Sequence, residues 1–401
     1  MRIAVFHPKF AAVGGAELLI LEQAAYLREA GHEVVFHTFE VSGGAWEGLL
    51  RTWPVNLIPK RRGLDFLTSF TRSAKLKARL RRAEPLLRDF ERVLATNHPC
   101  STMLGLMEVP GRKFWYCNEA YRRIFTRETS PGGVAALERL GPANPALEAL
   151  AADIRRAESS SGLLRVRREA IEGLSRIHRT FFNSRFTQEN ARRACGDLPG
   201  DVHPPIIRFP APGGPRRGLD RQALRILVQT RLTPLKNVET VVAGFLAFRA
   251  AHPGAELHVV GTGPSEGGLR AMAAASAEGA SVRFHGFLPG PALAELRARC
   301  QVFALLPLDE PFGMVFPEAA ANGLLLIGPD HGGPVEILEE GRLGRLVPAF
   351  SPGEFRSALE ALCDLRDGDV DALRDEADAS CRARYGLEVL GPRLERALVE
   401  G

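Results

Sequence analysis

The chain has 401 residues, 45% apolar and 25% charged, with a formal net charge of +5. That length exceeds what one hydrophobic core usually fills, and the composition is that of an ordinary globular protein, so two domains are expected. No run of about 18 apolar residues occurs, which excludes a membrane-spanning helix from the reading. The first residues, Met1 to Phe6, read as a strand, and His7, Pro8 and Lys9 end any signal-peptide pattern. Six cysteines, at 100, 117, 195, 300, 363 and 381, lack metal-ligand spacing and fit buried thiols in a reduced, cytoplasmic setting.

Arg2–His7 reads as a buried strand, followed by a loop, a helix from Ala16 to about Ala30 and a second strand, Glu33–Thr38. This is a βαβ opening. Further strands are expected at 92–96, 113–117 and 180–183, with a segment rich in Ala, Arg and Glu over 128–178 that is helical by propensity. Prolines and glycines crowd 197–219, as in a linker. Beyond it the rhythm restarts: strand 224–230, helix 237–251, strand 256–260, helix 266–277, then strands 282–285, 301–305, 324–327 and 345–347. Such alternation implies parallel sheets covered on both faces, with ligands at the carboxyl ends of the strands.

The charge is uneven. Nine Lys/Arg and one acid lie between Lys60 and Arg82, a net of 9 − 1 = +8, which leaves 5 − 8 = −3 for the rest. Leu64, Phe66, Leu67, Phe70, Leu76 and Leu80 interleave with these cations. An amphipathic helix on anionic lipid, a solvated basic helix and an acidic-acceptor site all fit. No aromatic stacking platform accompanies the charge, so nucleic acid is not expected.

The stretch 309–336, DEPFGMVFPEAAANGLLLIGPDHGGPVE, carries the chemistry. Glu310 and Glu318 stand eight residues apart, Pro317 is suited to a helix start and Asn322-Gly323 to its end. A second helix is expected near Gly332-Gly333-Pro334. Two helix N-termini around one strand predict an anion site. Glu310 and Glu318 also read as an ordinary loop acid and a helix N-terminal acid; at a phosphate site a carboxylate repels the ligand unless it contacts hydroxyl groups instead. Upstream, Arg231 and Lys236 flank a strand-end loop; paired cations suit a diphosphate, although a solvated surface loop carries such residues as readily. Gly261-Thr262-Gly263 follows a strand, but Glu266 stands where a dinucleotide fingerprint needs a third glycine.

These motifs resemble the donor-binding signature of retaining family-4 glycosyltransferases, Glu-(seven residues)-Glu with a small-residue helix and a Gly-Gly loop. The resemblance implies a GT-B fold, α/β, with two facing Rossmann-like domains and an interdomain cleft. It implies that Arg231 and Lys236 hold the donor diphosphate, that Glu310 meets the donor sugar and Glu318 the ribose, and that N–H groups around Phe312, Gly313, Met314 and Val315 reach the phosphates. The Gly261/Gly263 turn and Gly286-Phe287 would lie by the nucleotide and base, and Gly14-Gly15 would close on the phosphates from the opposite wall. Trp115 to Arg122 is similar to a Tyr-Cys-His-x-Pro-x-Arg motif of one subgroup, except that Asn118 replaces the histidine and Ala120 or Tyr121 stands at the proline position. His98, on the preceding strand end, is either its substitute or a structural histidine.

The expected domains are 1–205 (acceptor side), 206–384 (nucleotide-sugar side) and a helix from 385 to 401 crossing back to the first. The expected activity is retaining transfer of a hexosyl group from a nucleoside-diphosphate sugar to a glycan, lipid-linked or small-molecule hydroxyl. A metal-independent front-face step is implied, with no cofactor beyond the sugar nucleotide as co-substrate. A peripheral contact with the inner membrane face through Lys60–Arg82 is a further expectation. The alternatives are a sugar-nucleotide epimerase of the same fold and a degenerate, non-catalytic transferase scaffold.

Overall fold

Two all-parallel sheets organise the chain in its computed structural model, which describes residues 1–11, 14–59, 73–120, 152, 161–211 and 218–401. The first sheet has β1 (Arg2–His7), β2 (Glu33–Thr38), β3 (Val55–Leu57), β4 (Arg92–Ala95), β5 (Arg112–Cys117), β6 (Arg179–Phe182) and β7 (Gly200–Val202), ordered β3-β2-β1-β4-β5-β6-β7. The second has β8 (Arg225–Gln229), β9 (Glu256–Val260), β10 (Val282–Gly286), β11 (Val302–Ala304), β12 (Leu325–Pro329) and β13 (Arg345–Val347), ordered β10-β9-β8-β11-β12-β13. Each order reverses once, at β1/β4 and at β8/β11, and open parallel sheets bind ligands at such points.

The strands read as apolar runs because both faces of each sheet are covered. Ile3, Ala4, Val5 and Phe6 are all buried, with Ile3 paired to Val34 on one side and Arg92 on the other. Helices α1 (Gly15–Glu29), α2 (Gly44–Leu50), α3 (Ser73–Leu87), α4 (Cys100–Leu106), α5 (Ser161–Leu174) and α6 (Arg185–Cys195) accompany the first sheet. Ser184 starts α6 as its N-cap: Thr187 N donates to Ser184 Oγ at 2.9 Å. With the second sheet come α7 (Val238–Arg249), α8 (Glu266–Ala274), α9 (Gly290–Arg299), α10 (Val315–Ala321), α11 (Gly333–Ile337), α12 (Pro352–Cys363) and α13 (Asp367–Tyr385).

The chain divides into two compact units: Met1–Ile207 with Leu387–Gly401, and Arg208–Gly386. The last helix, α14 (Leu387–Glu400), is part of the first unit. Glu395 accepts from Tyr26 Oη at 3.3 Å and lies 3.0 Å from His32 Nε2, while Arg92 Nε donates to the Leu398 carbonyl at 2.6 Å. Gly391 lets α14 approach the Tyr26 ring, where a Cβ would intrude.

Two expectations change here. Pro317 does not open its helix: α10 begins at Val315, so Pro317 occupies the third position, still within the first turn where its missing N–H costs nothing. The basic helix is not an exposed amphipathic one in its described part. In α3, Leu76, Ala83 and Leu87 sit in the first unit's core with Val93, Met103 and Leu104, and Leu80 packs against it. Spacing 76, 80, 83, 87 is one helical face, and the protein interior uses it up. Residues 60–72, the rest of the basic stretch, lie outside the described residues, as do 121–151 and 153–160 of the expected helical segment. Among the described residues no helix is long and apolar enough to cross a membrane.

Candidate active site

In the second unit the polar groups gather at the carboxyl ends of β8, β11 and β12. After β8 the chain makes a 3₁₀ turn, Pro234–Lys236, and Asn237 then adopts the left-handed conformation (φ 49°). Asn tolerates that region better than most residues. Its buried side chain bridges elements: Nδ2 donates to the Leu306 carbonyl at 3.0 Å, and Oδ1 accepts from Thr240 Oγ1 at 2.7 Å. With Leu308 N donating to Leu235 O at 2.7 Å, the turn is pinned to the segment after β11. That pinning brings Lys236 Nζ to 2.5 Å from Glu310 Oε2, an ion pair with side chains 28% and 17% exposed. Arg231 is exposed and forms no ion pair among the described residues.

The glycines of the sequence motifs act first as places where backbone meets backbone. A Cβ at Gly261 or Gly263 would overlap the carbonyl oxygens of Thr230 and Leu232, so this turn carries the Arg231 loop directly. Leu232 N donates to Thr262 O at 3.0 Å across the same contact. Likewise Gly333 N donates to Glu310 O at 2.8 Å, and a Cβ at Gly333 would overlap Pro311 O. This corrects the expected pair of open helix N-termini. The first N–H of the five-residue α11 is already bonded to the Glu310 loop, so α11 clamps that loop rather than offering a free anion site. The seven-residue α10 differs: the N–H groups of Gly313 (φ 95°) and Met314 donate to no group among the described residues. Donors remain there, although so short a helix adds little dipole. Phe312 is buried edge-to-face on Tyr385, with centroids 5.1 Å apart, so it anchors the loop.

Glu318, in the first turn of α10, is held by a residue that sequence reasoning missed. Arg297, near the end of α9, donates to Glu318 Oε2 at 2.7 Å. The same guanidinium gives Gln229 Oε1, on the last residue of β8, two hydrogen bonds of 3.1 and 2.7 Å. No local signal could have found it, because 21 residues and a strand separate Arg297 from Glu318.

Gly286 (φ 65°) ends β10, and the Phe287 side chain after it is 77% exposed. His285 stacks on His258, their Nε2 and Nδ1 3.0 Å apart, and burial lowers the pKa of both, His258 to about 4. Both are neutral at pH 7.

In the first unit, Gly14 is the N-cap of α1 and Gly15 its first residue. A Cβ at Gly14 would meet only the Glu17 carboxylate, at 2.7 Å, which can swing away. The ends of β4, β5 and β6 carry amides: Asn118 Nδ2 donates to Asn97 Oδ1 at 3.3 Å, and Asn183 Nδ2 donates to the Asn118 carbonyl at 2.7 Å. His98 lies 3.3 Å from Thr102 Oγ1 with its pKa lowered by burial to about 4, and His7, buried against Thr96 (2.7 Å), is lowered likewise to about 4. The structure thus brings Asn118 and the Asn97-His98 corner together as neutral groups. The stretch from Tyr121 onward of the subgroup motif lies outside the described residues.

Residues 216–378 match the family model Glycosyl transferases group 1. The chain is 35% identical over 147 residues to the probable sucrose-phosphate synthase of Thermosipho melanesiensis, covering 35% of this chain and 34% of that protein. It is 29% identical over 154 residues to the D-inositol 3-phosphate glycosyltransferase of Corynebacterium kroppenstedtii, covering 37% and 34%. The alignments thus span about a third of these relatives' own lengths. In three dimensions, Anabaena HepE, solved in complex with UDP and glucose, superposes over 100% of both chains with a TM-score of 0.74 at 16% identity. The fold is therefore the GT-B type, with two Rossmann-like units. The match to the group 1 glycosyl transferase model, residues 216–378, falls within the second unit.

Proposed function

We propose that this chain is a retaining glycosyltransferase of the family-4 type that moves a hexosyl group from a nucleoside-diphosphate sugar to a hydroxyl acceptor. One observation carries the reading. Lys236, Glu310, Glu318 and the N–H groups of Gly313 and Met314, unbonded among the described residues, are gathered by the strand ends of the unit whose sequence matches the group 1 model. Anabaena HepE, which shares the fold, was solved with UDP and glucose, which supports a sugar-nucleotide donor.

In this reading Arg231, Lys236 and the N–H groups at Gly313–Val315 stabilise the charge that develops on the departing diphosphate, and no resident metal is called for. Glu310, close beside Lys236, accepts from donor-sugar hydroxyls, Glu318 from the ribose, and Gly286-Phe287 flanks the base. The C1–O bond to the diphosphate breaks as the acceptor oxygen bonds C1 on the same face. The acceptor proton passes to the departing phosphate oxygen, so no carboxylate nucleophile is required. Asn118 and His98, neutral at pH 7, serve as hydrogen-bonding groups for the sugar or acceptor hydroxyls rather than as charged catalysts. The setting proposed is the cytoplasm, in keeping with six cysteines that form no disulfide.

The test is to incubate the protein with UDP-, GDP-, ADP- and dTDP-sugars plus simple glycoside acceptors and read the anomeric configuration by NMR. An α-linked donor should give an α-linked product. A β-linked product would contradict retention, and isomerised donor without any acceptor would favour an epimerase.

A further inference from the structure

Arg297 joins three elements at the strand ends of the second unit, and its bonds are unequal in kind. Toward Gln229 it meets a neutral amide oxygen that accepts from Nε and from one terminal nitrogen. Toward Glu318 it meets a carboxylate through that same terminal nitrogen. Gln229 therefore fixes the plane of the guanidinium without taking its charge, which is left for Glu318. Arg297 is 16% and Glu318 33% exposed, so solvent screens the pair only in part. The second oxygen of Glu318, Oε1, bonds no protein group among the described residues, and the side chain is 33% exposed. A carboxylate accepts about four hydrogen bonds, so one face of Glu318 is committed and the other is available.

This arrangement answers a difficulty in the site. An acid beside a diphosphate repels it, yet two acids stand here. Each is paired: Glu310 with Lys236 and Glu318 with Arg297, which leaves Arg231 as the uncompensated charge of the five. We propose that Arg297, locked by Gln229, is a positioning residue that cancels the charge of Glu318 and aims its Oε1 at the vicinal diol of a ribonucleoside diphosphate. This makes the Gln229–Arg297–Glu318 chain the element that distinguishes ribose from 2′-deoxyribose. The inference rests on the donor reading given above.

The experiment is calorimetric titration of the full chain with UDP, GDP and ADP, each against its 2′-deoxy counterpart. Wild type should bind the best ribonucleotide about tenfold tighter than the deoxy form, the value of one hydrogen bond to a charged acceptor. Arg297→Met should bring that ratio close to one, and it should weaken both forms as well, because the uncompensated Glu318 repels the diphosphate. Arg297→Lys should restore part of the ratio. Glu318→Gln should lose it, and combining Glu318→Gln with Arg297→Met should lose nothing more. Gln229→Glu, nearly isosteric, should lower the ratio by drawing Arg297 away, and it serves if Arg297→Met does not fold. A merely structural arginine would weaken both nucleotides equally, so an unchanged ratio in a folded Arg297 or Gln229 variant overturns the inference and leaves the donor reading standing. A wild type that binds none of the probes sinks both.

Discussion

The two units carry opposite chemistry on the same kind of scaffold. In the second, the strand ends hold ion pairs, Lys236–Glu310 and Arg297–Glu318, with Arg231 beside them. In the first, the equivalent ends hold amides, Asn97, Asn118 and Asn183, and histidines, His7 and His98, that burial keeps neutral, with the Glu17 carboxylate 3.8 Å from His7. A diphosphate is a concentrated double charge and calls for fixed cations. Hydroxyl groups are neutral and are recognised by donors and acceptors of no net charge. Under the proposed function, a parallel sheet supplies only the place, and charge at the strand ends divides the labour.

Removing charge from the second unit should have the largest effect. Lys236→Ala should lower sugar transfer by about three orders of magnitude, as losses of transition-state charge stabilisation do. Its melting temperature should stay within about 3 °C of wild type, because a partly exposed pair contributes little to folding. Near-normal turnover would remove Lys236 from the mechanism. Glu310→Gln should separate two roles: transfer falls, while calorimetric affinity for the free nucleoside diphosphate holds or rises because Lys236 loses its competitor.

Backbone packing gives the next effect. Gly261→Ala places a Cβ onto the Thr230 carbonyl at a φ of 126°, so it should destabilise the second unit by about 3 kcal/mol in urea unfolding. Gly14→Ala meets only the movable Glu17 carboxylate and should cost well under about 1 kcal/mol. Equal costs would contradict the view that the Gly261 turn is a structural support for Arg231.

Acid separates the units more gently. His7, His37, His98 and His203 in the first unit have pKa values lowered by burial to about 4, against His258 alone at that value in the second. A histidine with a folded pKa below its unfolded 6.5 takes up its proton preferentially when unfolded. Stability is therefore complete above about 6.5 and falls as pH drops toward 4. Hydrogen exchange between pH 7 and 4.5 should show the first unit losing protection before the second. The reverse order would mean that other groups dominate.

Most strands were legible because parallel strands buried on both faces are apolar runs between small-residue turns, and β1, β2, β9 and β13 end where the pattern ends. The short β3 and β7 were not: Val55–Leu57 is largely exposed and Gly200–Val202 lies in a proline-rich stretch, so neither carries the apolar signature. In the site, Lys236, Glu310 and Glu318 stood out by loop position and spacing. Arg297 and Gln229 could not, because their meaning arises only when the fold brings β8, α9 and α10 together. Leu76 and Leu80 misled for the opposite reason. An apolar helical face reads the same whether it meets lipid or a protein core, and only packing decides.

In the proposed function the second unit binds a nucleoside diphosphate through Arg231, Lys236 and the Gly313–Val315 loop. Thermal unfolding with UDP, GDP, ADP and dTDP at about 100 times Kd should reveal at least one that stabilises the protein by about 2.7 kcal/mol. That gain should vanish in the Arg231→Ala, Lys236→Ala double variant. Stabilisation by none of the four, or an undiminished gain in the double variant, would mean that these residues do not bind a nucleoside diphosphate.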